Sequence, residues 1–458
     1  MPDDLLLPDG TLMRRADVAY LAERIQDASC CSIVAVSNMG KSALVRVLTE
    51  PAVRSEFLGE ASETYTFVLV DCNRMLEMSE QGFYELVLRC VLEVLSGSDA
   101  GGAVFGQLQA AYDRLIHPSS PFDIPLSFNQ GMTAVNRLDG RKLVLLLDEF
   151  DEAYAGLHGR VFLNLRALKD QYRRRLVYVT ATDAPLGQAR AGSDFDEFRE
   201  LFTHYTYYLA PLSAEDSRHF ARRYAQQETV TFDPADERFI YEWAGGHPGL
   251  LMATCRALGR VTGPAERDEL QDWVIHREVA TWLPDELSVR VECRKIWDDL
   301  TEVEQEALLG VDDPEQPPVQ HALATLQEKH VLIGREGDSR PFCRLFANYI
   351  QRLRATRRSK VTGVRVDVDS GEVYVDGEAT ETLTNLEYRL LLLLYGRLGQ
   401  IVSKYDVVEA VWGEDYIDEV DDARIEKLVS RLRNKVEPDP RNPRYVTTVR
   451  GRGYRLEG

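Results

Sequence analysis

The sequence predicts a large α/β domain with a parallel sheet, followed by two smaller α+β domains. Between residues 30 and 210, short β-rich runs alternate with helical patterns, and apolar strands separated by helices are typical of a parallel sheet covered on both faces. After residue 285, a second pattern has the order helix, helix and two short strands, as in a winged helix. The β-rich runs of the first region cover residues 32–37, 66–71, 142–147, 176–180 and 205–209.

Length and composition are those of a multidomain globular chain. Its 458 residues exceed one ordinary core, since domains average roughly 150 residues. The apolar fraction of 44% and the charged fraction of 28% are typical of globular proteins. The formal net charge is −20. A uniformly acidic surface repels phosphates, so this charge argues against indiscriminate coating of nucleic acid and confines any DNA site to a local patch.

Cysteine usage and hydropathy predict a protein of a reducing compartment. The seven cysteines form no C-x-x-C pair and have no histidine at metal-ligand spacing, so we expect buried or free thiols. The N-terminus opens with acidic residues rather than with a basic and apolar signal segment, and no run of about 18 apolar residues occurs. We therefore expect a cytoplasmic protein with no membrane partner.

Composition shifts divide the chain into five segments. They are an α/β core, a helical lid, a middle winged helix, a polar and basic linker without apolar periodicity, and a C-terminal domain. The lid begins at Ser213, where a serine cap precedes acidic residues of a helical pattern. In order, the segments cover residues 1–212, 213–284, 285–353, 354–361 and 362–458.

A phosphate-binding loop is predicted where the first strand meets its helix. Such a loop needs a strand, a tight turn and a helix N-terminus, so that backbone N–H groups meet the phosphates. Residues 32–42 supply these parts and end in Gly-Lys-Ser. By the standard roles, Lys41 reaches the β and γ phosphates and Ser42 ligates Mg²⁺. The predicted nucleotide contacts are Ser37, Asn38, Met39, Gly40, Lys41, Ser42 and Ala43.

One position departs from the phosphate-loop motif G-x-x-x-x-G-K-[ST]. Its first glycine is Ala35 in this chain. A methyl group is tolerated there if φ is negative, because positive φ is what favours glycine. We therefore expect bound ATP with Mg²⁺, and leave open whether the protein hydrolyses ATP.

A second motif supports the nucleotide site. The apolar run 142–147 ends in Asp148 and Glu149. Asp148 would hold Mg²⁺, directly or through water, and Glu149 would orient and deprotonate the attacking water. Alone, either motif could be an ordinary turn or a pair of solvated acids. Together, and in the expected order, they favour a nucleotide site.

With both motifs, residues 14–251 resemble the STAND and AAA+ branches of the P-loop ATPases. The resemblance implies an α/β P-loop NTPase fold with a parallel sheet and a helical lid. It also implies that Thr180 or Thr182, at the position of a sensor strand, senses the γ-phosphate. His247 or Pro248 of the lid could touch the nucleotide, although a lid histidine can also simply be packed.

The same resemblance suggests a catalytic role for Arg199. This residue stands where related ATPases place an arginine finger. A surface arginine on an acidic helix is an equal alternative. The predicted catalytic residues are Glu149, Lys41 and Arg199.

The C-terminal domain concentrates positive charge near its end. Ten basic residues against three acidic ones give residues 424–455 a local charge of +7. Apolar residues recur at helical spacing in this region, so one helix face can pack while the other enters a major groove. An ordinary solvated amphipathic helix is the alternative. The apolar positions are Ile425, Leu428, Val429, Leu432 and Val436.

Several motifs, in order, resemble the OmpR/PhoB winged-helix family over residues 364–456. The resemblance implies an N-terminal antiparallel sheet, three helices and a β-hairpin wing whose arginine enters a minor groove. Ala423 stands where many relatives have a DNA-contacting arginine, which leaves sequence preference there open. The motifs are 383–391, 399–403, 411–413, 430–435 and 447–454. The predicted DNA-binding residues are Arg424, Lys427, Arg431, Arg433, Lys435, Thr448, Arg450 and Arg452.

An acidic run, 414–422, precedes the predicted recognition helix. In some relatives this loop touches RNA polymerase, which makes RNA polymerase an open partner. A solvated loop, with the acidic charge that helix N-termini prefer, is the interpretation we favour slightly.

Three functions are compatible with these patterns. The first is a transcriptional regulator whose nucleotide state controls homo-oligomer assembly and binding of double-stranded DNA. The ATPase would replace the receiver domain that usually accompanies the C-terminal family. The second is a DNA-acting ATPase of genome maintenance, mobile-element targeting or phage defence. The third is a pseudo-ATPase scaffold that binds ATP structurally.

Overall fold

The computed structural model of the chain forms two compact units, Met1–Tyr349 and Ile350–Gly458. Among the described helices, none combines the length and apolar character needed to cross a membrane. Every described cysteine is a buried thiol outside any disulfide bond, as we expected. The structure describes residues 5–7, 9–96, 102–137, 140–190, 192–262, 269–310, 317–334, 339–359, 363–366, 372–376, 378–413 and 420–457.

A five-stranded parallel sheet lies at the centre of the first unit, within its described residues. The parallel sheet predicted from the sequence is confirmed, and strands β1, β3 and β4 are almost wholly buried, as a sheet covered on both faces requires. The strands are β1 (Cys31–Val34), β2 (Tyr65–Asp71), β3 (Lys142–Asp148), β4 (Leu176–Thr182) and β5 (Thr206–Tyr208). Their order is β2-β3-β4-β1-β5. Because β4 lies between β1 and β3, its end separates the two phosphate-site motifs.

Helices connect these strands and build an aromatic core. Tyr84 and Phe128 stack with ring centroids 3.9 Å apart, and Phe150 packs edge-on against Phe162. The helices are α1 (Arg15–Gln26), α2 (Lys41–Val47), α3 (Pro51–Leu58), α4 (Glu80–Ser96), α5 (Gly102–Ile116), α6 (Asp123–Asn136), α7 (Phe150–Gly156), α8 (Gly159–Tyr172), α9 (Leu186–Ala189) and α10 (Ser193–Arg199). Short 3-10 segments cover Gly59–Thr64, Cys72–Arg74 and Arg173–Arg175.

The predicted lid is helical. Ser213 caps its first helix, because the serine hydroxyl accepts the N–H of Asp216 at 3.0 Å. The lid helices are α11 (Ala214–Glu228), α12 (Pro234–Ala244), α13 (Pro248–Thr262) and α14 (Glu269–Trp282), followed by a 3-10 turn at Leu283–Asp285.

Residues 287–349, here called the middle segment, have helices followed by a hairpin, the order predicted for a winged helix. A buried ion pair joins them: Lys329 Nζ lies 2.7 Å and 2.9 Å from the carboxylate oxygens of Glu304. The elements are α15 (Leu287–Asp298), α16 (Glu302–Leu309), α17 (Pro317–Glu328) and the antiparallel strands β6 (Leu332–Ile333) and β7 (Arg340–Pro341). Helix α18 (Arg344–Ser359) follows and continues into the second unit.

Most of the segment predicted as a linker, 354–361, is helical in the structure. Helix α18 continues to Ser359, so residues 354–359 are helical, and the boundary between the units follows Tyr349. The helix starts from the buried Leu345 and Phe346. Alanine and arginine have high helix propensity, so a polar stretch can extend a helix that packing has already started. Residues 360 and 361 lie outside the described residues.

The second unit has the architecture implied by the sequence motifs. A close backbone approach shapes its wing: Gly453 has a φ of 139°, and a Cβ there would lie 1.9 Å from the carbonyl oxygen of Val402. The antiparallel sheet is β8 (Val364–Val366), β9 (Val373–Val375) and β10 (Glu378–Ala379). The helices are α19 (Asn385–Gly396), α20 (Lys404–Val411) and α21 (Asp422–Val436), and the wing is β11 (Val446–Val449) and β12 (Gly453–Leu456).

Candidate functional site

The loop between β1 and α2 has the backbone form of a phosphate-binding turn. Gly40 has a φ of 99° and Asn38 a φ of 58°. Glycine at position 40 avoids the strain that a side chain would cause there. Ala35 does not have a positive φ, and its N–H donates to the carbonyl of Thr182 at 3.2 Å. The methyl group that replaces the first glycine of the motif is therefore accommodated.

Two carboxylates lie beside the hydroxyl of Ser42. The Ser42 Oγ is 3.1 Å from Oδ1 of Asp148 and 3.4 Å from Oε1 of Glu149. Burial raises the pKa of Asp148 to about 6; the hydrogen bond from Ser42 opposes this rise, and the charges of Glu149 and Asp71 add to it. Oxygen atoms are the ligands that Mg²⁺ prefers. The structure thus brings together the two predicted metal residues and the predicted base.

The ammonium group of Lys41 is buried between two oxygen partners. Its Nζ donates to the carbonyl of Ala35 at 2.8 Å and to Oδ1 of Asp183 at 2.5 Å. Asp183 directly follows β4 and was not predicted as a site residue. A phosphate that binds Lys41 must therefore compete with the Asp183 carboxylate.

Two threonines of β4 have different surroundings. Thr180 donates from Oγ1 to Ser32 Oγ at 3.0 Å inside the sheet. Thr182 pairs with Val34 at the start of the loop, and its buried hydroxyl has no hydrogen-bond partner in the described part of the chain. An unpaired buried hydroxyl costs free energy that a ligand oxygen could recover. Of the two alternatives, Thr182 fits a nucleotide contact better.

His247 joins the lid to the phosphate loop. It is fully buried, its Nε2 donates to the carbonyl of Ser37 at 2.9 Å, and its Nδ1 accepts the N–H of Leu250 at 3.2 Å. Burial lowers the pKa of His247 to about 4, so the neutral ring has its proton on Nε2. Pro248 follows, with Cγ 3.8 Å from a Cβ built on Gly40. The histidine thus packs on the backbone of the loop, and the proline faces the turn.

Two arginines differ from expectation. Arg14, which was not predicted, is buried and donates to the carbonyls of Met39 at 2.7 Å and Ala210 at 2.8 Å. Arg14 also pairs with the nearby Asp17 at 3.1 Å, but these two carbonyl partners lie 25 and 196 positions away in the chain, so no local pattern marks the contacts. Arg199, the predicted arginine finger, pairs with Asp196 at 2.8 Å and is not among the described residues that line the cavity at the loop.

Two carboxylates of the region 287–299 also reach the phosphate loop. Oδ2 of Asp299 accepts the N–H of Ser37 at 2.5 Å, and Oε2 of Glu292 accepts from Nδ2 of Asn38 at 2.7 Å. Burial raises the pKa of Asp299, and the charge of Asp183 adds to the rise. These acids were not predicted, because more than 250 residues separate them from the loop.

A cavity of about 390 Å³ opens in front of the phosphate loop. This volume lies within the range of roughly 300 to 1,000 Å³ that small-molecule sites occupy. Its walls come from the core, the lid and the middle segment. They include Lys41, Ser42, Ala43, Glu149, Pro248 and Glu292.

Helix α21 of the second unit separates an apolar face from a basic face. All five apolar residues predicted to pack are buried. Arg424, Lys427 and Arg431 are exposed on the helix, and Arg450 and Arg452 are exposed on the wing. This arrangement offers cations to a phosphate backbone on two adjacent elements.

Comparison with known families agrees with this geometry. Residues 378–456 match the family described as "Transcriptional regulatory protein, C terminal". The second unit contains an OmpR/PhoB-type DNA-binding domain. The sensory transduction protein RegX3 of Mycobacterium tuberculosis is 42% identical over 95 residues, which are 21% of this chain and 40% of RegX3. The chain thus spans about two fifths of the length of this curated relative.

Solved structures resemble both parts of the chain. The Walker-type ATPase PABY2304 of Pyrococcus abyssi aligns over 77% of this chain and all of its own, with 14% identity and a TM-score of 0.44. The DNA-binding domain of CpxR from E. coli aligns over 21% of this chain and 93% of its own, with 33% identity and a TM-score of 0.18. The sheet and the phosphate loop described above define the ATPase-like fold of the first unit.

Two residues predicted to contact DNA instead form hydrogen bonds within the OmpR/PhoB-type domain. Lys435 Nζ donates to Oε2 of Glu387 at 2.9 Å and to the carbonyl of Thr382 at 2.7 Å. Arg433 donates from Nε to the carbonyl of Val446 at 2.8 Å, and from its NH2 group to Oγ1 of Thr448 at 2.7 Å. The structure thus uses Lys435 to hold α19 and Arg433 to hold the wing, and Thr448 is the exposed acceptor of that second bond.

Proposed function

We propose that this protein is an ATP-binding, nucleotide-switched DNA-binding transcriptional regulator. The observation that carries the proposal is the cleft at the phosphate loop, where the core, the lid and the middle segment all contribute residues. A ligand bound there would contact all three of these parts. The same chain carries an OmpR/PhoB-type domain, which supplies the output.

The residues present fit Mg²⁺ and ATP. Lys41 would bind the β and γ phosphates, Ser42 and Asp148 would hold Mg²⁺, and Thr182 would accept or donate at the γ-phosphate end. Mg²⁺ supplies neutralisation of phosphate charge when it is bound. Glu149 lies close enough to Ser42, at 3.4 Å, to orient a water molecule beside the metal site.

DNA binding is assigned to the exposed basic groups of α21 and the wing. Arg424, Lys427 and Arg431 would lie along a major groove, with Arg450 and Arg452 at the neighbouring backbone or minor groove. Lys435 and Arg433 would support this surface from within. The acidic remainder of the chain would limit binding to this local patch.

Assembly and further partners complete the proposal. A nucleotide-dependent homo-oligomer would present several DNA-binding domains to repeated sites and gain avidity, and it would allow Arg199 to act on a neighbour. RNA polymerase is a further proposed partner through the acidic loop. Residues 414–419 of that loop lie outside the described residues, and Asp421 caps α21 through the N–H of Arg424 at 3.0 Å.

The test is selection of genomic fragments, followed by binding of the chosen site at fixed salt by nucleotide-free, ADP-bound and ATP-bound protein. A discrete repeated site whose affinity depends on nucleotide supports the switch, and Lys41→Ala should abolish that dependence. Equal affinity in all three states would refute the coupling. Broad binding with DNA-stimulated hydrolysis would instead indicate an ATPase of genome maintenance, mobile-element targeting or defence. Retained ATP without turnover would indicate a structural role for the nucleotide.

A further inference from the structure

Two carboxylates, one in the middle of α15 and one at its C-cap, accept hydrogen bonds from polar groups of the phosphate loop. Asp299 accepts the N–H of Ser37, and Glu292 accepts from the side chain of Asn38. Both acids are largely shielded from solvent: Glu292 has a side-chain exposure of 14%, and burial raises the pKa of Asp299. The loop thus has anionic partners supplied by the middle segment.

The position of Glu292 is closely defined. A Cβ built on Gly249, the second residue of α13, would lie 2.2 Å from its Oε2. Its other carboxylate oxygen binds Lys295 of the same helix at 3.0 Å. Glu292 therefore bridges the lid and the loop while it lines the cavity.

The negative charges of these acids lie close to the position that a bound polyphosphate would occupy. Asp299 interacts electrostatically with both Asp183 and Lys41, and Asp183 is the carboxylate paired with Lys41. Phosphates that reach Lys41 would bring additional negative charge next to Asp299. Like charges at short range, partly shielded from water, repel strongly. Binding of phosphate and retention of Asp299 on Ser37 are therefore opposed.

We propose that Asp299 and Glu292 form an acidic latch that holds the middle segment on the nucleotide-free phosphate loop and that nucleotide phosphates release. The latch rests on the proposed nucleotide site and describes its regulation. Because coupling between two equilibria is reciprocal, closure of the latch weakens nucleotide binding by the same factor by which bound nucleotide weakens closure. Removal of the latch must therefore tighten nucleotide binding. ATP, with its γ-phosphate, releases the latch more strongly than ADP.

The first experiment measures binding of ATP and ADP, each with Mg²⁺, to the full chain and to Asp299→Ala and Glu292→Ala. The matched control is Asp298→Ala, because Asp298 is the neighbouring acid, pairs with Arg294 at 3.5 Å and has a side chain that is 61% exposed. The Asp299→Ala variant loses the hydrogen bond between the Asp299 carboxylate and the loop. It should therefore bind ATP about 10- to 100-fold more tightly than the parent protein, which is the range for a hydrogen bond to a charged group. The control should change it less than about 2-fold, because solvent and salt screen an exposed charge.

Equal tightening by Asp298→Ala would mean that overall charge, rather than the latch, opposes ATP. Unchanged binding in both latch variants would also overturn the proposal. Weaker binding would overturn it in a different way, because it would make Asp299 or Glu292 a nucleotide ligand. Thermal unfolding midpoints establish that each variant is folded, and the second latch variant serves if the first is not.

A second experiment measures the latch directly by hydrogen exchange of residues 287–299. Exchange should be slow in the nucleotide-free protein, faster with ATP, and already fast in nucleotide-free Asp299→Ala, because a released helix opens more often. Unchanged exchange on addition of saturating ATP would overturn the latch.

The two proposals fail in different ways. If the latch variants tighten ATP binding and accelerate exchange while DNA affinity ignores nucleotide, the latch is correct and the transcriptional switch is wrong. If ATP changes DNA affinity but the variants behave like the parent protein, only the latch is wrong. If neither the parent protein nor the variants bind ATP, the nucleotide site itself is wrong.

Discussion

Replacing Asp148 by asparagine should stabilise the nucleotide-free protein, although it changes a residue that we propose as a metal ligand. The pKa of Asp148 is about 6, against 3.8 for an ordinary aspartate, chiefly because the carboxyl group is buried. At about 1.4 kcal/mol per pKa unit, keeping this carboxylate ionised in the folded state costs about 3 kcal/mol at neutral pH. Asparagine has no charge to bury and still offers an oxygen to the Ser42 hydroxyl.

The sign of the pH dependence follows from the raised pKa. Between pH 4 and pH 6 the folded state binds more protons at this site than the unfolded state, so the parent protein loses stability as the pH rises through this window. The advantage of Asp148→Asn should therefore be near zero at pH 4 and complete above pH 6. At about 2 °C per kcal/mol for a large unit, the melting temperature should rise by about 6 °C at pH 8.

The assay is thermal unfolding of both proteins across this pH range, with EDTA and without nucleotide. Asp170→Asn is the control, because that aspartate has a side chain that is 62% exposed and pairs with Arg166 on the surface. A variant that is no more stable than the parent at pH 8 would refute the reasoning. So would a gain that does not change with pH, because it would have a cause other than ionisation.

Three further predictions concern the nucleotide site, DNA binding and the stability of the OmpR/PhoB-type domain. Lys41→Ala should abolish nucleotide binding, whereas Glu149→Gln should keep binding and lose hydrolysis. Nucleotide binding is measured at equilibrium, and hydrolysis is measured by phosphate release. Unchanged turnover in the two variants would refute the site assignment. Arg450→Ala should weaken DNA binding by about 1 to 3 kcal/mol, with the domain still folded. A titration against the selected DNA site measures this change, and an unchanged affinity would mean that Arg450 does not contact the DNA. Lys435→Ala should destabilise the OmpR/PhoB-type domain by about 2 kcal/mol, because it leaves the Glu387 carboxylate without its cation. Denaturant unfolding measures this change, and unchanged stability would show that the ion pair does not stabilise the domain.

The sequence predicted those elements whose apolar pattern is local. All five strands of the parallel sheet and the buried face of α21 were predicted, because apolar periodicity is a local property of the chain. Residues 354–359 of the predicted linker are helical, because helix propensity and an anchored first turn extend α18 to Ser359. Sequence periodicity alone does not show where packing starts a helix.

By itself, the sequence determined that the chain has a phosphate loop, an acidic pair after a buried strand and a basic C-terminal helix. Motifs of this kind are short and local, so their residues follow each other in the chain. The tertiary structure decided which distant groups meet them: Arg14 at Met39, Asp183 at Lys41 and Asp299 at Ser37. It also turned Lys435 inward, toward Glu387. Such contacts join residues that lie between 25 and 262 positions apart in the chain, and no local pattern encodes them.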